Sequence, residues 1–555
     1  MKAAGAAMAA MGVSLAATHT AEPNLYTRMS PEQVRQAIVR TPVAWFPAGI
    51  IEWHGEQSAC GLDALKAETL CQMAADALGG VRFPMIWLGP DGSTPFDPTK
   101  YPRGTVTIDK DLYFEIAEQL LLQIEAMGFR VAVHLSGHYP GVIPPIAEKI
   151  TRRGRMRVIS VSEDNVVRGM PAGDHAAAWE TSLLMVLRPG LVDLTRLPPL
   201  PPTTRPAGDA IPPDVPFEPR CEYYGVYRAD PRVWASPFYG RCGTEAVIEG
   251  LARVVGEALG DASYGKQRPP LNWPQDTRQP PEVRCDHLLP HQWMMRFEDA
   301  PIMYWPLLTI GESVDQAVAA AIAAARKTGG MVFPPFPYGP RDDKSGPALS
   351  PDACRRLVKE TVGHIAAMGF RVIVLLPGAA LDASVLAGLD GLRAEGDQSR
   401  IVAVAPTEAA TAPEPVTRAV RAMIPHEPTR RPLAGPWKIN GSRTIASIAE
   451  AAYGPPGDTV TYEAEFTLSD AEAARAALLD LGTVENHCEL LLNDTPPLTD
   501  HWPPYRFLVT GRLRPGANAL KVTVRHKPQP TLDPFYYRPA PPRLKGPVTL
   551  LTWMP

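Results

Sequence analysis

Short apolar runs alternate with segments of helical periodicity along the first 160 residues. The apolar runs predict strands at 43–51, 83–88, 130–135 and 157–161. Apolar residues that recur every three to four positions predict helices at 31–40, 63–78, 110–127 and 142–153. Gly128 follows the third helix as a C-terminal cap. This alternation predicts a mostly parallel sheet with helices on both faces, which is a three-layer α/β/α domain.

Three segments of this pattern return later in the chain, in the same order. Residues 42–51, 81–90 and 125–135 are similar to residues 301–310, 331–340 and 366–376, at offsets of 259, 250 and 241. Two deletions in the later copy would produce the shrinking offsets. Residues 285–425 are therefore predicted to be a second copy of the same α/β core.

The last 125 residues change to short runs in which apolar and polar residues alternate, separated by turn signals such as N-D-T-P-P and R-P-G-A-N. The runs include V-T-Y-E-A-E-F, C-E-L-L-L-N and A-L-K-V-T-V. Alternation with a period of two predicts an all-β, antiparallel sandwich for residues 432–555.

Candidate chemistry begins directly after the first predicted strand, with E-W-H-G-E-Q-S-A-C-G-L-D at 52–63. Glu52 and His54 lie two residues apart, so in an extended backbone their side chains point to the same side. Asp63 follows in a glycine-containing loop that can fold back. Two carboxylates and an imidazole suit a divalent ion such as zinc, manganese or iron(II).

Other polar groups follow later elements. His138 comes just after the strand at 130–135, and the carboxyl ends of parallel strands are where sites form in open α/β sheets. His175 stands five residues before Glu180, at the start of an apolar helix. The turn at Gly104 and Thr105 can bring backbone close to a ligand.

Together these motifs resemble the creatininase family of metal-dependent amidohydrolases, over about residues 28–265. The family pattern E-x-H-G with a later Asp matches Glu52, His54 and Asp63. Its N-G-H motif matches at 137–138, with Ser136 in place of the Asn, and its H-A-G-x-x-E-T-S motif matches at 175–182. The resemblance implies a creatininase-like domain at 25–275 that holds one or two divalent ions (Zn, Mn or Fe). It implies metal ligands at Glu52, His54, Asp63, His138 and Glu180, catalytic groups at His175 and Glu180, and substrate contacts at Tyr139, Gly104, Thr105 and Asp174.

Two of these roles have a structural alternative. Glu180 could simply be a negative charge at a helix N-terminus, and His175 could orient a ligand instead of moving a proton.

This chain also departs from the family pattern. The second His of E-x-H-G-x-H is Gln57, and Pro140 stands where creatininase itself has a metal-binding Glu. A second ion would therefore need Glu180 as its carboxylate, or the site holds one ion firmly and the second loosely. These changes argue against creatinine as the substrate.

The second copy lacks the ligands in register. Gly311, Ser313 and Ala379 stand opposite Glu52, His54 and His138. We expect a structural role for residues 285–425: they cover a face, shape the mouth of the pocket, or mimic a subunit contact. The last of these would leave the chain a monomer or dimer, and a regulatory small-molecule site is the alternative to a structural role.

Residues 432–555 resemble the galactose-binding-like jelly roll, the sugar-binding-type domain of family 2 glycoside hydrolases. The resemblance implies carbohydrate as a second partner. Trp437, Trp502 and Tyr505 would form a stacking platform or fill core positions.

Composition and the N-terminal sequence bear on nucleic-acid binding, membrane insertion and localisation. A net charge of −4 argues against a dedicated nucleic-acid binder, and no apolar segment reaches transmembrane length. Residues 1–24 resemble a signal peptide with a thin basic region, which predicts a periplasmic or secreted protein; the alternative is a cytoplasmic one.

The predicted function is hydrolysis of a C–N bond in a small, cyclic amide by a metal-activated water. Two alternatives remain at this point: a carbohydrate-binding or scaffolding protein with a vestigial metal site, and a glycoside-processing enzyme.

Overall fold

The structure is a computed structural model. It describes residues 24–90, 104–197, 228–276, 278, 282–299, 302–307, 314–340, 346–368, 370, 372–377, 400–403, 429–448, 459–485, 487–500, 505–509, 511–525 and 543–553. The predicted signal peptide therefore lies outside the described residues, apart from its last position. Among the described helices, none combines the length and the apolar content that crossing a bilayer requires.

The first α/β unit is built on a four-stranded parallel sheet. Its strands, β1–β4, are Val43–Ala48, Val81–Arg82, Val131–Ser136 and Arg157–Ser162, in the order β2-β1-β3-β4. Its helices, α1–α7, are Pro31–Arg40, Leu62–Leu78, Lys110–Ala126, Pro144–Thr151, Ala178–Leu187, Pro231–Trp234 and Pro237–Leu259. Separate apolar cores lie on the two faces of this sheet, as the α/β/α prediction requires.

The second predicted strand differs most from expectation. We expected it at 83–88, but the ladder covers only Val81–Arg82. The regular ladder stops because the next donors to β1 are Phe83 and Ile86, three residues apart instead of two, so one extra residue lies between them. The chain still runs alongside β1, because Phe83 N donates to Trp45 O at 2.8 Å and Ile86 N donates to Pro47 O at 3.1 Å.

A second α/β unit follows. Helices α8–α10 are Pro290–Asp299, Val314–Thr328 and Pro351–Ala367, and strands β5–β8 are Ile302–Leu307, Met331–Val332, Val372–Pro377 and Arg400–Ala403. The parallel order β6-β5-β7-β8 repeats that of the first sheet, as expected for a second copy. The bond from Phe333 N to Tyr304 O, at 2.8 Å, repeats the bond from Phe83 to Trp45. Gly311, Ser313 and Ala379 lie outside the described residues.

The equivalent helices α3 and α10 pack against each other in an approximately two-fold manner. Asp109 and Ser350, related by the offset of 241, are the N-caps of the two helices. The N–H of Asp109 donates to Glu360 at 2.9 Å, and the N–H of Ser350 donates to Gln119 at 2.7 Å. Glu360 and Gln119 are themselves related by the same offset. Each unit thus offers the other the same positions, which is the property of an isologous dimer interface.

Two further contacts obey the same relation. The Gln123 amide donates to Ala348 O at 2.7 Å and accepts from Ala348 N at 3.2 Å. The Nδ1 of the equivalent His364 lies 3.1 Å from both the N and the O of Thr107, and its tautomer decides which of the two it bonds. Glu115 pairs with Arg356, its own equivalent, at 2.7 Å, so the pseudo-axis passes between them. The second unit covers the α3 face in the way that a symmetric partner would.

This internal pairing predicts a small assembly. Because α3 is already covered from within the chain, we expect the full-length protein to be a monomer or a dimer. Multi-angle light scattering of the full chain would measure this, and a hexamer would contradict it.

In the described residues of the C-terminal part, the paired strands are antiparallel, and one short helix, α11, is Asp470–Ala473. Its strands, β9–β20, are Thr429–Pro432, Trp437–Ile439, Arg443–Ile445, Thr459–Leu468, Ala476–Asp480, Thr483–Glu485, His487–Leu492, Leu498–Asp500, Arg506–Leu508, Gly516–Arg525, Arg543–Gly546 and Thr549–Trp553. They form sheets ordered β11-β10-β12-β18-β15-β16 and β17-β13-β20-β9, with a β14-β19 pair.

These sheets enclose one apolar core of their own. Trp437 and Tyr505 are buried in it, so these two side chains do not form an exposed stacking platform. Trp502 lies outside the described residues. The all-β character is as predicted, whereas the jelly-roll topology and carbohydrate binding stay predictions.

Candidate metal centre

The predicted metal ligands meet at the carboxyl ends of β1 and β3. Glu52 and His54 follow β1, His138 follows β3, Asp63 lies in the first turn of α2, and Glu180 lies in the first turn of α5. All five are buried. Adjacent parallel strands end at the same edge of a sheet, which explains how residues so far apart in sequence converge.

Two glycines allow α2 to approach this edge closely. A Cβ on Gly137 would stand 2.0 Å from the backbone oxygen of Asp63, and a Cβ on Gly49 would stand 2.7 Å from the backbone of Ala64. Only glycine fits at such an approach. Gly137 therefore allows Asp63 to reach the site because it has no side chain.

Asp63 lies between the two histidines. Its Oδ1 is 3.1 Å from His54 Nε2, and its Oδ2 is 3.0 Å from His138 Nδ1. Glu52 Oε2 approaches the same His138 nitrogen at 3.1 Å. One carboxylate therefore faces two separate imidazole nitrogens, which is the arrangement of a bridging ligand.

Backbone carbonyls set the tautomers of both histidines. His54 Nδ1 lies 3.1 Å from Glu52 O, and His138 Nε2 lies 2.9 Å from Pro90 O. A carbonyl can only accept, so these nitrogens carry the hydrogens and the opposite nitrogens are left with lone pairs in the neutral ring. Those lone pairs face carboxylate oxygens, which also cannot donate when ionised. A cation placed between them would satisfy both partners, so the donor set fits a divalent metal.

The possible ligand atoms form three overlapping groups. Within each group the atoms lie within 4.8 Å of one another: Glu52, Asp63 and His138; His54, Asp63 and Glu180; and Glu52, His54 and His175. The first two groups share Asp63. We refer to them as the His138 position and the His54 position.

Glu180 is held from two sides. Its Oε2 accepts from Ala176 N at 2.7 Å and lies 3.4 Å from His54 Nε2, while its Oε1 accepts from Lys66 Nζ at 2.6 Å. Lys66 also contacts Glu163 Oε1 at 2.6 Å. Sequence reasoning missed Lys66 and Glu163. A lysine three residues after Asp63, in an otherwise apolar stretch of α2, was the available signal.

His175 lies in the loop before α5, next to the ligands. Its ring centroid is 4.5 Å from that of His54, and the side chain is half-buried. Burial lowers the pKa of His175, and the neighbouring His54 lowers it further. The ring is therefore neutral at neutral pH and able to accept a proton. Its catalytic role stays a prediction.

The surrounding carboxylates dominate the electrostatics. Burial lowers the pKa of His54 and His138, but Asp63, Glu52 and, for His54, Glu180 outweigh it and raise each to about 10. Burial opposes the charge of Asp63, yet the two imidazoliums hold its pKa well below the ordinary value. The carboxylates thus favour positive charge at this site, whether it is carried by protons on the imidazoles or by a metal ion.

The predicted substrate contacts have varied surroundings. Asp174 accepts from the N–H groups of Trp179 and Glu180 at 2.6 and 3.2 Å, which caps the first turn of α5. Thr105 Oγ1 accepts from Trp53 N at 3.0 Å, and Gly104 has a φ of 94°. Tyr139 is 72% exposed beside His138. Contact of these residues with substrate stays a prediction.

Replacing Gly137 with alanine should disrupt the site. The new Cβ would overlap the carbonyl of Asp63, so we expect a loss of at least about 2 kcal/mol in unfolding free energy, at the upper end of overpacking effects. Denaturant unfolding would measure it. Gly363→Ala in α10 is the matched control, because its Cβ meets no atom within 4 Å. Equal stability of the two variants would contradict the close approach.

The part of the chain that carries the predicted ligands is similar to known proteins. Residues 27–255 match the family model described as creatininase, creatinine amidohydrolase. The creatinine amidohydrolase of Pseudomonas putida is 24% identical over an alignment of 193 residues, and the match covers 31% of this chain and 74% of that protein. Residues 27–255 form a creatininase-family domain.

Solved structures align with the same part of the chain. A structure described as the manganese form of creatininase is 21% identical, with a TM-score of 0.32, and covers 42% of this chain and 98% of its own. A creatininase variant described as the Zn–Zn type is 21% identical, with a TM-score of 0.31, and covers 42% and 97%. The family assignment rests on the sequence matches.

Gln57 stands where the family pattern has a second His. Instead of a second His, Gln57 donates from Nε2 to Ala176 O at 2.6 Å. Ala176 has a φ of 54°, which is uncommon for alanine, and it follows His175 directly. Gln57 therefore ties the loop of Glu52 and His54 to the loop of His175.

Proposed function

We propose that this protein is a metal-dependent amidohydrolase that cleaves a C–N bond of a small, cyclic amide. The observation that carries the proposal is the shared carboxylate of Asp63, with one oxygen at His54 and the other at His138. The creatininase-family domain and the names of its relatives support the reaction class.

Two ion positions are supported by the geometry of the ligands. Glu52, Asp63 and His138 would hold one ion, and His54, Asp63 and Glu180 would hold the other. Carboxylate and imidazole ligands suit zinc, manganese or iron(II). When bound, such ions polarise a carbonyl group and lower the pKa of water.

Residues of this chain would orient the ligands and transfer the proton. His54 and His138 keep their ligand nitrogens aimed by donating their other N–H to Glu52 O and Pro90 O. His175, beside His54, would take a proton from the attacking water and deliver it to the leaving nitrogen. In the overall reaction the C–N bond breaks, the carbonyl carbon gains OH from water, and the nitrogen gains the remaining hydrogen. No oxidant or reductant is needed.

Pro140 supports a substrate other than creatinine. In the creatininase pattern this position carries a metal-binding Glu, and a proline side chain has no ligand atom. Glu180 would supply that carboxylate from α5 instead, so the substrate side of the pocket is built differently. The position of Glu180 near His54 Nε2, at 3.4 Å, makes this exchange geometrically feasible.

The test is a substrate screen on metal-depleted and reloaded protein. Small cyclic amides, with creatinine among them, would be assayed with zinc, manganese and iron(II). We expect hydrolysis that is lost with chelator and restored by one of these metals. Failure to bind any of the metals would refute the proposal, and sugar release with intact amides would favour the glycoside alternative.

A further inference from the structure

A buried lysine lies directly behind the metal centre. Lys66 is on α2, one turn after Asp63, and its Nζ is 2.6 Å from both Glu180 Oε1 and Glu163 Oε1. The three side chains are only 1%, 7% and 5% exposed. A buried ammonium persists where carboxylates pair with it, and here two do so.

This contact restricts how Glu180 can bind an ion. Lys66 occupies Oε1, and the N–H of Ala176 donates to Oε2 at 2.7 Å. Only Oε2 faces His54, so Glu180 can offer one oxygen and no two-oxygen clamp. A cation that holds the outer oxygen of a ligand carboxylate also withdraws charge from it, which is the opposite of the usual carboxylate support behind a ligand.

The two ion positions consequently differ in charge. The His138 position has Glu52 and Asp63 with His138. The His54 position shares Asp63 and adds only Glu180, whose charge is already partly matched by Lys66. Like charges repel in a buried, weakly screened site, so an ion at the His54 position meets Lys66 as well as its ligands.

We propose that Lys66 makes the two positions unequal: it weakens ion binding at the His54 position and leaves the His138 position as the tight one. Lys66 is thus a positioning residue that acts through Glu180 and touches no ion itself. The inference rests on the proposed metal site and adds the order in which its two positions bind ions: the His138 position first and the His54 position second. The ion next to His175 would be the exchangeable one.

The test compares metal affinities of metal-free full-length variants. Lys66→Met combined with Glu163→Gln removes one buried positive and one buried negative charge, which keeps the remaining charge balance. We expect the weaker of two zinc dissociation constants to fall by about 10- to 100-fold, the usual scale of ligand-supporting contacts. The tighter constant should change less than about threefold. Competition with a chromogenic chelator and calorimetry would measure both.

Glu163→Gln alone is the matched control, because it leaves Lys66 on Glu180. Its weaker constant should stay the same or rise, because Lys66 still pairs with Glu180 and has lost Glu163, and its tighter constant should stay within about threefold of wild type. If the double variant does not fold, Lys66→Gln keeps a hydrogen-bond donor without the charge and should shift the weaker constant in the same direction. A merely structural lysine would not change the ratio of the two constants.

The outcomes separate the two proposals. A wild type that binds no ion refutes the proposed function, and this inference with it. A wild type that binds ions while the Lys66 variants leave both constants unchanged, or tighten the stronger one, overturns the inference alone. A second ion that appears only in the Lys66 variants supports it.

Discussion

Replacing Asp63 with alanine should abolish hydrolysis and empty both ion positions. Asp63 is the only residue shared by both groups of ligands, with Oδ1 at His54 and Oδ2 at His138. Its removal leaves each position with two ligands, and we expect activity to fall by more than about a thousandfold because the metal chemistry is lost. Metal analysis of the purified variant, together with steady-state kinetics, would measure both effects.

Asp76→Ala is the matched control for this experiment. It removes a carboxylate from the same helix, but Asp76 is exposed and accepts hydrogen bonds from the side chains of Asn24 and Gln72. Metal content and turnover should match wild type. Full metal content with full activity in Asp63→Ala would show that the ligands are assigned wrongly.

Replacing His175 with alanine should separate catalysis from metal binding. The ring lies 4.5 Å from that of His54, close enough to serve the same reacting group, yet Glu52, Asp63, His138 and Glu180 remain to hold metal. Turnover should fall by roughly two to four orders of magnitude, the usual contribution of general acid–base assistance. KM should change much less than kcat.

His291→Ala, at the start of α8, controls for loss of any imidazole. Its activity should equal wild type. If His175→Ala instead loses metal, His175 joins the ligands through its group with Glu52 and His54. Unchanged turnover with full metal content would assign the proton transfer to another group.

The site also depends on the chain that leads into the second unit. Cys60 N donates to Leu288 O at 3.1 Å, and Gly61 N donates to Asp286 O at 3.0 Å. These bonds hold the loop between His54 and Asp63 from outside the creatininase-family domain. The segment that leads into the second unit therefore stabilises the loop between His54 and Asp63, while the second unit itself covers α3.

Local sequence determined most of the elements and which residues are the predicted ligands. Apolar periodicity placed α1 at its observed bounds and α3 within one residue, because an amphipathic helix needs only its own neighbours and one buried face. The E-x-H spacing after β1 and the histidine after β3 indicated the metal centre, since parallel strands must deliver their carboxyl ends to one edge. The repeat was also readable, because both copies kept the apolar pattern of the same strands.

Tertiary structure alone decided the charges and contacts behind the ligands. Lys66 looks like a helix residue among others until α5 places Glu180 on its ammonium group. The pseudo-two-fold pairing of α3 with α10 depends on antiparallel packing that no local pattern encodes. The shortening of the second strand came from the extra residue between Phe83 and Ile86, which becomes apparent only when both donate to β1. Side chains that meet across 100 or more residues do so through packing, and packing depends on the whole fold.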